Sequence, residues 1–229
     1  MCGRYAFYAP AEAVARLFGV RIAEALTPRY NIAPTQRVPV VRIDGAGVRH
    51  VDQLYWGLIP HWAKDRSIGA RMINARAETI AQKPAFRQAL RRRRCLVLAN
   101  GWYEWQTTAG GKQPWFVSAA DGEPCAFAGL WESWSPAPHE PPLESCAIVT
   151  TEARGFLATL HTRMPVVLAR ENYDVWLRGD HPASAVSEAG VATLLALLQP
   201  PPEGTLRAWR VSRRVNHVRH DGPELIEKQ

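Results

Sequence analysis

Most of the motifs by which a sequence declares its chemistry are missing from this chain of 229 residues. No apolar run approaches the ~20 residues of a membrane-spanning helix, so no membrane partner is expected. The four cysteines form no Cys-x-x-Cys pair, which excludes a zinc ribbon. Neither His-x-x-x-His nor His-Glu-x-x-His occurs, and no metal is expected. No glycine-rich loop follows a strand-like segment, which argues against a bound nucleotide, and no cofactor is expected. There is no repeat and no low-complexity tract. The N-terminus lacks the charged-then-apolar pattern of a secretory signal, so the expected address is cytoplasmic.

What is present is basic, aromatic and ordinary in its share of apolar residues. The formal net charge is +7, the hydrophobic fraction 47% and the tryptophan count nine. A basic balance suits a polyanion such as nucleic acid, although many basic proteins bind none. Trp56, Trp62, Trp102 and Trp105 stand in loop-like text beside polar or basic residues. One or two of them are expected to stack on bases, and buried core accounts for the rest.

Cys95, Cys125 and Cys146 lie in strand-like apolar text (CLVLAN, CAFAGL, CAIVTT) and read as small buried side chains. Cys2, in MCGRY, lies outside any such run, where little shelter is expected. If Met1 is removed, Cys2 carries a free α-amine and a thiol on adjacent carbons. The amine titrates near pH 8 and is partly neutral in the cell. It can attack an aldehyde to give an imine. The tethered thiol can then add and close a thiazolidine ring. A thiol nucleophile with its own amine as base is the competing chemistry.

The imine step needs an acid to expel water. Glu104, among the aromatic residues of NGWYEW, is the strongest candidate, because such neighbours raise a carboxyl pKa. An outward-facing glutamate on an alternating strand is the plainer alternative. His161, in LHTRMP, titrates in the working range, or else it bonds backbone carbonyls at a helix end. Asn74, in MINARAE, can hold the terminus or substrate through its amide, or cap a helix beginning at Ala75 or Arg76. Arg4 and Arg76 can grip phosphates, or can be ordinary solvated arginines.

The pattern predicts more strand than helix. PAEAVARLF reads as a helix from Pro10 to Phe18. VPVVRI and VRHVDQLYWGL read as strands around an Asp44–Gly47 turn. A helical pattern runs from Arg76 to Arg94 with a break near Pro84. CLVLANGWYEW reads as a strand pair or bent strand, and QPWFVSA, CAFAGLW and ESCAIVTT alternate as strands. SPAPHEPP is a long hairpin loop. TEARGFLATLH, ENYDVWLR and VATLLALL are short helices, MPVVLA is a strand, and LRAWRVSRRV is a strand with a basic tail. Short connections favour one α+β domain with a mainly antiparallel, barrel-like core.

Nine stretches then run in a recognisable order: MCGRY, YNIAPTQ, WGLIPHWAKD, MINARAET, CLVLANGWYEW, FAGLWE, IVTTEA, HTRMPVVL and VSRRVNHVRHDGPELI. Together they resemble the SRAP domain of the SOS response-associated peptidase family, across residues 1–229. The resemblance implies a single compact α+β domain with a basic groove for single-stranded DNA. It implies loss of Met1, by self-cleavage or an aminopeptidase. It also implies a lyase-like thiazolidine cross-link between Cys2 and the aldehyde of an abasic site. By position, Cys2, Asn74, Glu104 and His161 match the catalytic set. Arg4, Arg76, Arg163, Trp62, Trp105, Thr150, Asn31 and Pro34 match the DNA-binding set. A monomer, associated with the nucleoid when on DNA, is expected. RSIGARMIN is longer than in some relatives, and RRRR before Cys95 is richer in arginine than the motif needs. An N-terminal-nucleophile hydrolase, such as an amidotransferase, is the alternative enzyme. A non-catalytic single-strand binder is the alternative outside catalysis.

Overall fold

A computed structural model describes residues 2–22, 25–137, 139–178 and 185–229. Met1, whose removal the aminothiol chemistry requires, lies outside them, as do Pro138 of the SPAPHEPP loop and His181. The first half of the chain runs through β1 (Tyr5–Phe7), α1 (Ala11–Phe18), β2 (Arg29–Ile32), β3 (Arg37–Ile43), β4 (Arg49–Trp56) and β5 (Asn74–Arg76). Then come α2 (Arg87–Arg92), β6 (Arg94–Ala99), β7 (Gly101–Thr108), β8 (Gly111–Ala119), β9 (Cys125–Trp134) and β10 (Leu143–Glu152). The last part holds α3 (Leu157–Leu160), β11 (Arg163–Pro165), α4 (Tyr173–Arg178), α5 (Glu188–Ala196) and β12 (Leu206–Arg210).

The strands make a small closed barrel and an open antiparallel sheet, within a single compact α+β domain. The barrel runs β3–β4–β10–β9–β6 and returns to β3. Its one parallel seam is β4 on β10, over Ser145–Tyr55 and Cys146–Trp56. Closure removes the exposed edges that such short strands would otherwise offer. β5 and β11 flank the far end of β10. The open sheet has the order β12–β8–β7–β1–β2. No helix among the described residues is long and apolar enough to cross a membrane.

Local chemistry explains the hairpins. In the turn after β3, Asp44 Oδ1 accepts from the amides of Ala46 and Val48, each at 2.9 Å, and Gly47 takes a left-handed φ of 78°. α1 begins after Pro10 and stops at Gly19, where φ is 62°. SPAPHEPP connects β9 to β10 as a hairpin, with Leu143 opposite Trp134.

CLVLANGWYEW becomes two strands in different sheets. The corner is Asn100, whose Oδ1 accepts from Tyr8 N and whose N donates to Ala6 O, both at 2.8 Å. A Cβ on the next residue, Gly101, would stand 2.3 Å from the Val117 carbonyl, so only glycine fits this crossing.

One expected element needs correction. The helix expected from Arg76 is absent: residues 74–76 pair with β10, and α2 begins only at Arg87. Ladder bonds to β10 outweigh helical preference here, so Asn74 is a strand residue and caps no helix. Three arginines of the run before Cys95 are paired within the protein, and Arg92, the last residue of α2, is exposed. Arg94 is buried and donates to the carbonyls of Leu90, Trp176 and Leu177. Arg93 binds Glu132 at 2.8 Å, and Arg91 is paired with Glu188.

Candidate active site

Cys2 is fully buried, contrary to the exposure expected at a second position. The reason is β1, which enters the middle of the open sheet between β2 and β7. Tyr5 pairs with Trp102 of β7, and Tyr103 N donates to Arg4 O at 2.9 Å. Tyr5 also packs edge-on against Trp56 and Phe127, at 5.3 and 5.9 Å between ring centres. The residues just ahead of β1 are thereby drawn into the shared core.

Asn74 Nδ2 donates to the Cys2 carbonyl at 2.8 Å. Asn74 is set by the β5–β10 ladder, opposite Ile148. Its Oδ1 is buried and has no partner within the chain. Glu104 sits on β7, 4% exposed, and its Oε1 is likewise buried and unpartnered. It therefore faces inward rather than outward on its strand. Unpartnered buried oxygens are costly, and two of them beside one residue make this group the candidate site.

The electrostatics tie the group together. Burial raises the Glu104 pKa from 4.5 to about 7, and the positive charge of the chain's amino terminus pulls the other way. Burial pushes the Cys2 thiol far above its ordinary value, and the Glu104 charge pushes in the same direction. Burial lowers the pKa of His161, and the terminal charge lowers it further. The Arg163 amide donates to His161 Nδ1 at 3.0 Å. The Arg163 carbonyl lies 3.2 Å from the same nitrogen, so Nδ1 meets both backbone groups of Arg163 and its role follows the tautomer.

The residues expected to meet DNA fall into three groups. Thr150, fully buried on β10, accepts from Arg163 Nη2 through its carbonyl at 2.6 Å and its hydroxyl at 3.3 Å. Arg163 is gripped in two-point fashion by Glu78, at 2.7 and 2.9 Å. Arg76, exposed on β5, adds its charge to the same carboxylate. Glu78 was not singled out in the sequence; its position two residues after Arg76 in MINARAET was the available signal.

The second group clamps the C-terminal segment. Asn31 is fully buried; its Oδ1 accepts from Arg4 Nη1 at 2.8 Å, and its Nδ2 reaches the carbonyls of Val215, His217 and His220. Arg4 also donates to Val215 O at 2.9 Å and lies 5.9 Å from the Trp105 ring. Trp105 Nε1 donates to Asn216 Oδ1 at 2.7 Å. These side chains are occupied within the protein.

The third group lies outside the core. Pro34 is half-buried beside Thr35, whose φ of 71° is left-handed and whose amide donates to Trp56 O at 2.8 Å. Trp62 is 51% exposed on a loop pinned by Trp134 Nε1 to Ala63 O at 2.7 Å. Of the four loop-like tryptophans, Trp56 and Trp102 are core, Trp105 is tied, and Trp62 alone is broadly open. Among the described residues, no group of three or more His, Cys, Asp or Glu could hold a metal ion.

A second-position cysteine held by an amide, beside a carboxyl near neutrality and a neutral imidazole, next to a five-strand barrel, defines a class of proteins built around their own N-terminus. The family model described as SOS response associated peptidase (SRAP) matches residues 1–218, and the chain belongs to that family. It is 38% identical over 231 residues to the abasic site processing protein YoqW of Bacillus subtilis (strain 168), covering 99% of both chains. It is 30% identical over 233 residues to the abasic site processing protein YedK of Escherichia coli (strain K12), again covering 99% of both. A crystal structure of a protein from Bacteroides thetaiotaomicron has the same fold, with a TM-score of 0.84, 24% identity and 100% of both chains covered.

Proposed function

We propose that the chain captures abasic sites in single-stranded DNA by forming a thiazolidine through Cys2 once Met1 has gone. The observation that carries this reading is the seat of Cys2: its carbonyl is fixed by Asn74 at 2.8 Å, and its thiol lies in the field of a carboxyl with a pKa of about 7. The names of the two relatives, both abasic site processing proteins, support the same reading.

The ring-opened deoxyribose presents an aldehyde at C1′. The Cys2 amine attacks it, forming a C–N bond and a carbinolamine. Glu104, about half protonated near pH 7, gives its proton to the leaving hydroxyl, and water departs. The thiol, protonated at this pH, adds its sulfur to the carbon of the protonated imine while its proton passes to the Glu104 carboxylate, and the C=N electron pair returns to nitrogen, which keeps its own proton. Aldehyde and aminothiol thus become thiazolidine and water, and Glu104 ends as it began. His161, whose pKa is lowered toward the neutral ring and whose Nδ1 meets the Arg163 backbone, is the candidate partner of the sugar hydroxyl. On this reading the protein works as a monomer in the cytoplasm, at the nucleoid.

Intact mass spectrometry before and after incubation with an abasic oligonucleotide tests the proposal. The expected result is a polypeptide lacking Met1 that gains the oligonucleotide mass less one water. Cys2→Ala gives no adduct. A wild-type protein that lacks Met1 yet binds only non-covalently would refute capture.

A further inference from the structure

On β8, Trp115 pairs with Glu104 of β7 on one side and with Arg210 of β12 on the other. Directly paired residues share a sheet face. The row therefore runs from buried Glu104, through half-buried Trp115, to exposed Arg210. Neighbouring strands lie ~4.8 Å apart, so Arg210 stands about 10 Å from Glu104 along the row.

This row carries a built surface. The Arg210 guanidinium lies 5.4 Å from the Trp115 ring centre. Trp115 Nε1 donates to Gln106 Oε1 at 3.2 Å, which fixes the indole. Phe156 meets Trp115 edge-on, at 5.1 Å between centres and 62° between planes. Phe156 precedes α3, and His161 follows it, so one short helix spans from this aromatic pair to the candidate site.

Phe156 is 51% exposed, although it is a large apolar ring held against a fixed neighbour. A cavity of about 540 Å³ opens beside it, lined among others by Arg154, Met164, Arg207 and Glu203. Among the described residues, Arg154, Arg207 and Arg210 make no salt bridge, while Glu203 is the single carboxylate on that wall. A rigid ring in water beside unneutralised arginines complements a strand of bases and phosphates.

We infer that Phe156, buttressed by Trp115, stacks the base of a nucleotide flanking the lesion, and that Arg210 takes a phosphate of that nucleotide. The inference rests on the abasic-site reading above and specifies how the DNA next to the lesion is held.

The test uses a single-stranded oligonucleotide with tetrahydrofuran at the lesion position, which has no aldehyde, so binding is read without capture. Phe156→Ala is expected to weaken binding about ten-fold, the scale of one base–aromatic stack, and Phe156→Trp to restore it. Replacing one flanking nucleotide by a second tetrahydrofuran should weaken wild-type binding equally and leave Phe156→Ala unchanged. Arg210→Gln should reduce the slope of log affinity against log salt by about 0.7. Wild-type affinity in Phe156→Ala, or a loss that ignores the flanking base, would overturn the inference. Capture of an aldehyde-bearing oligonucleotide by wild type is scored separately on a denaturing gel. Its failure would refute the capture reading, whatever the stacking result.

Discussion

Glu104 concentrates the demands of the site on one side chain. Its carboxyl is useful because it is buried and half protonated, and the same burial makes its charge expensive. In the unfolded chain it ionises near 4.5; in the folded chain it ionises near 7. Between those values the folded state holds the extra proton. Stability contributed by the neutral form is therefore complete at low pH and declines as pH rises from about 4.5 through about 7, by roughly 3 kcal/mol in all. Glu104→Gln should abolish that part of the decline, which urea unfolding at pH 5 and pH 8 would register. The same variant should slow adduct formation by about 100-fold, because it cannot donate the proton that expels water. In wild type, the rate of the dehydration step should fall as pH climbs above 7, which a pH–rate profile reads directly.

At the scale of elements, the clamp at Asn31 is the most exacting arrangement. One amide satisfies three carbonyls of the C-terminal segment and one arginine. Asn31→Ala would leave those groups partly unpaired and should cost about 2–4 kcal/mol in denaturant unfolding. Gly57 and Gly69 show a similar economy of space. Gly57 has a φ of 141°, and a Cβ there would stand 2.6 Å from the Gly69 carbonyl. Gly57→Ala should lower the melting temperature and disturb the path from Trp56 to Asn74. The hairpins were legible in the sequence because alternation and turn residues are local signals, as at Asp44–Gly47. β5 was not legible: three residues become a strand only because β10 offers a parallel edge, and nothing within MINARAET encodes that partner. The sheet change at Asn100–Gly101 was equally hidden, since its cause is the crowding of Gly101 against Val117.

At the scale of the whole molecule, two sheets share one core, and β1 joins them. The barrel brings Asn74 to the junction through β10, and the open sheet brings Glu104 through β7. The candidate site residues were named from position and resemblance, and the structure brings Cys2, Asn74 and Glu104 together. The division of labour among arginines was not, because pairing with Glu78 or with backbone carbonyls is a property of three dimensions. Excess charge of +7 over the whole chain should make non-covalent binding of single-stranded DNA weaken steeply with salt. A titration between low and physiological ionic strength would show it, and a flat response would argue that the charge serves something else.

Cys2 has no exposed surface, and β7, which pairs with the strand that follows it, leaves the ribosome long after it. An aminopeptidase acting from outside therefore has its opportunity while β7 is still unmade, with the nascent terminus hanging free. Once β7 pairs with β1, Cys2 is packed in the core and its carbonyl is held by Asn74. On the capture reading, trimming by an outside enzyme is easiest before that pairing forms.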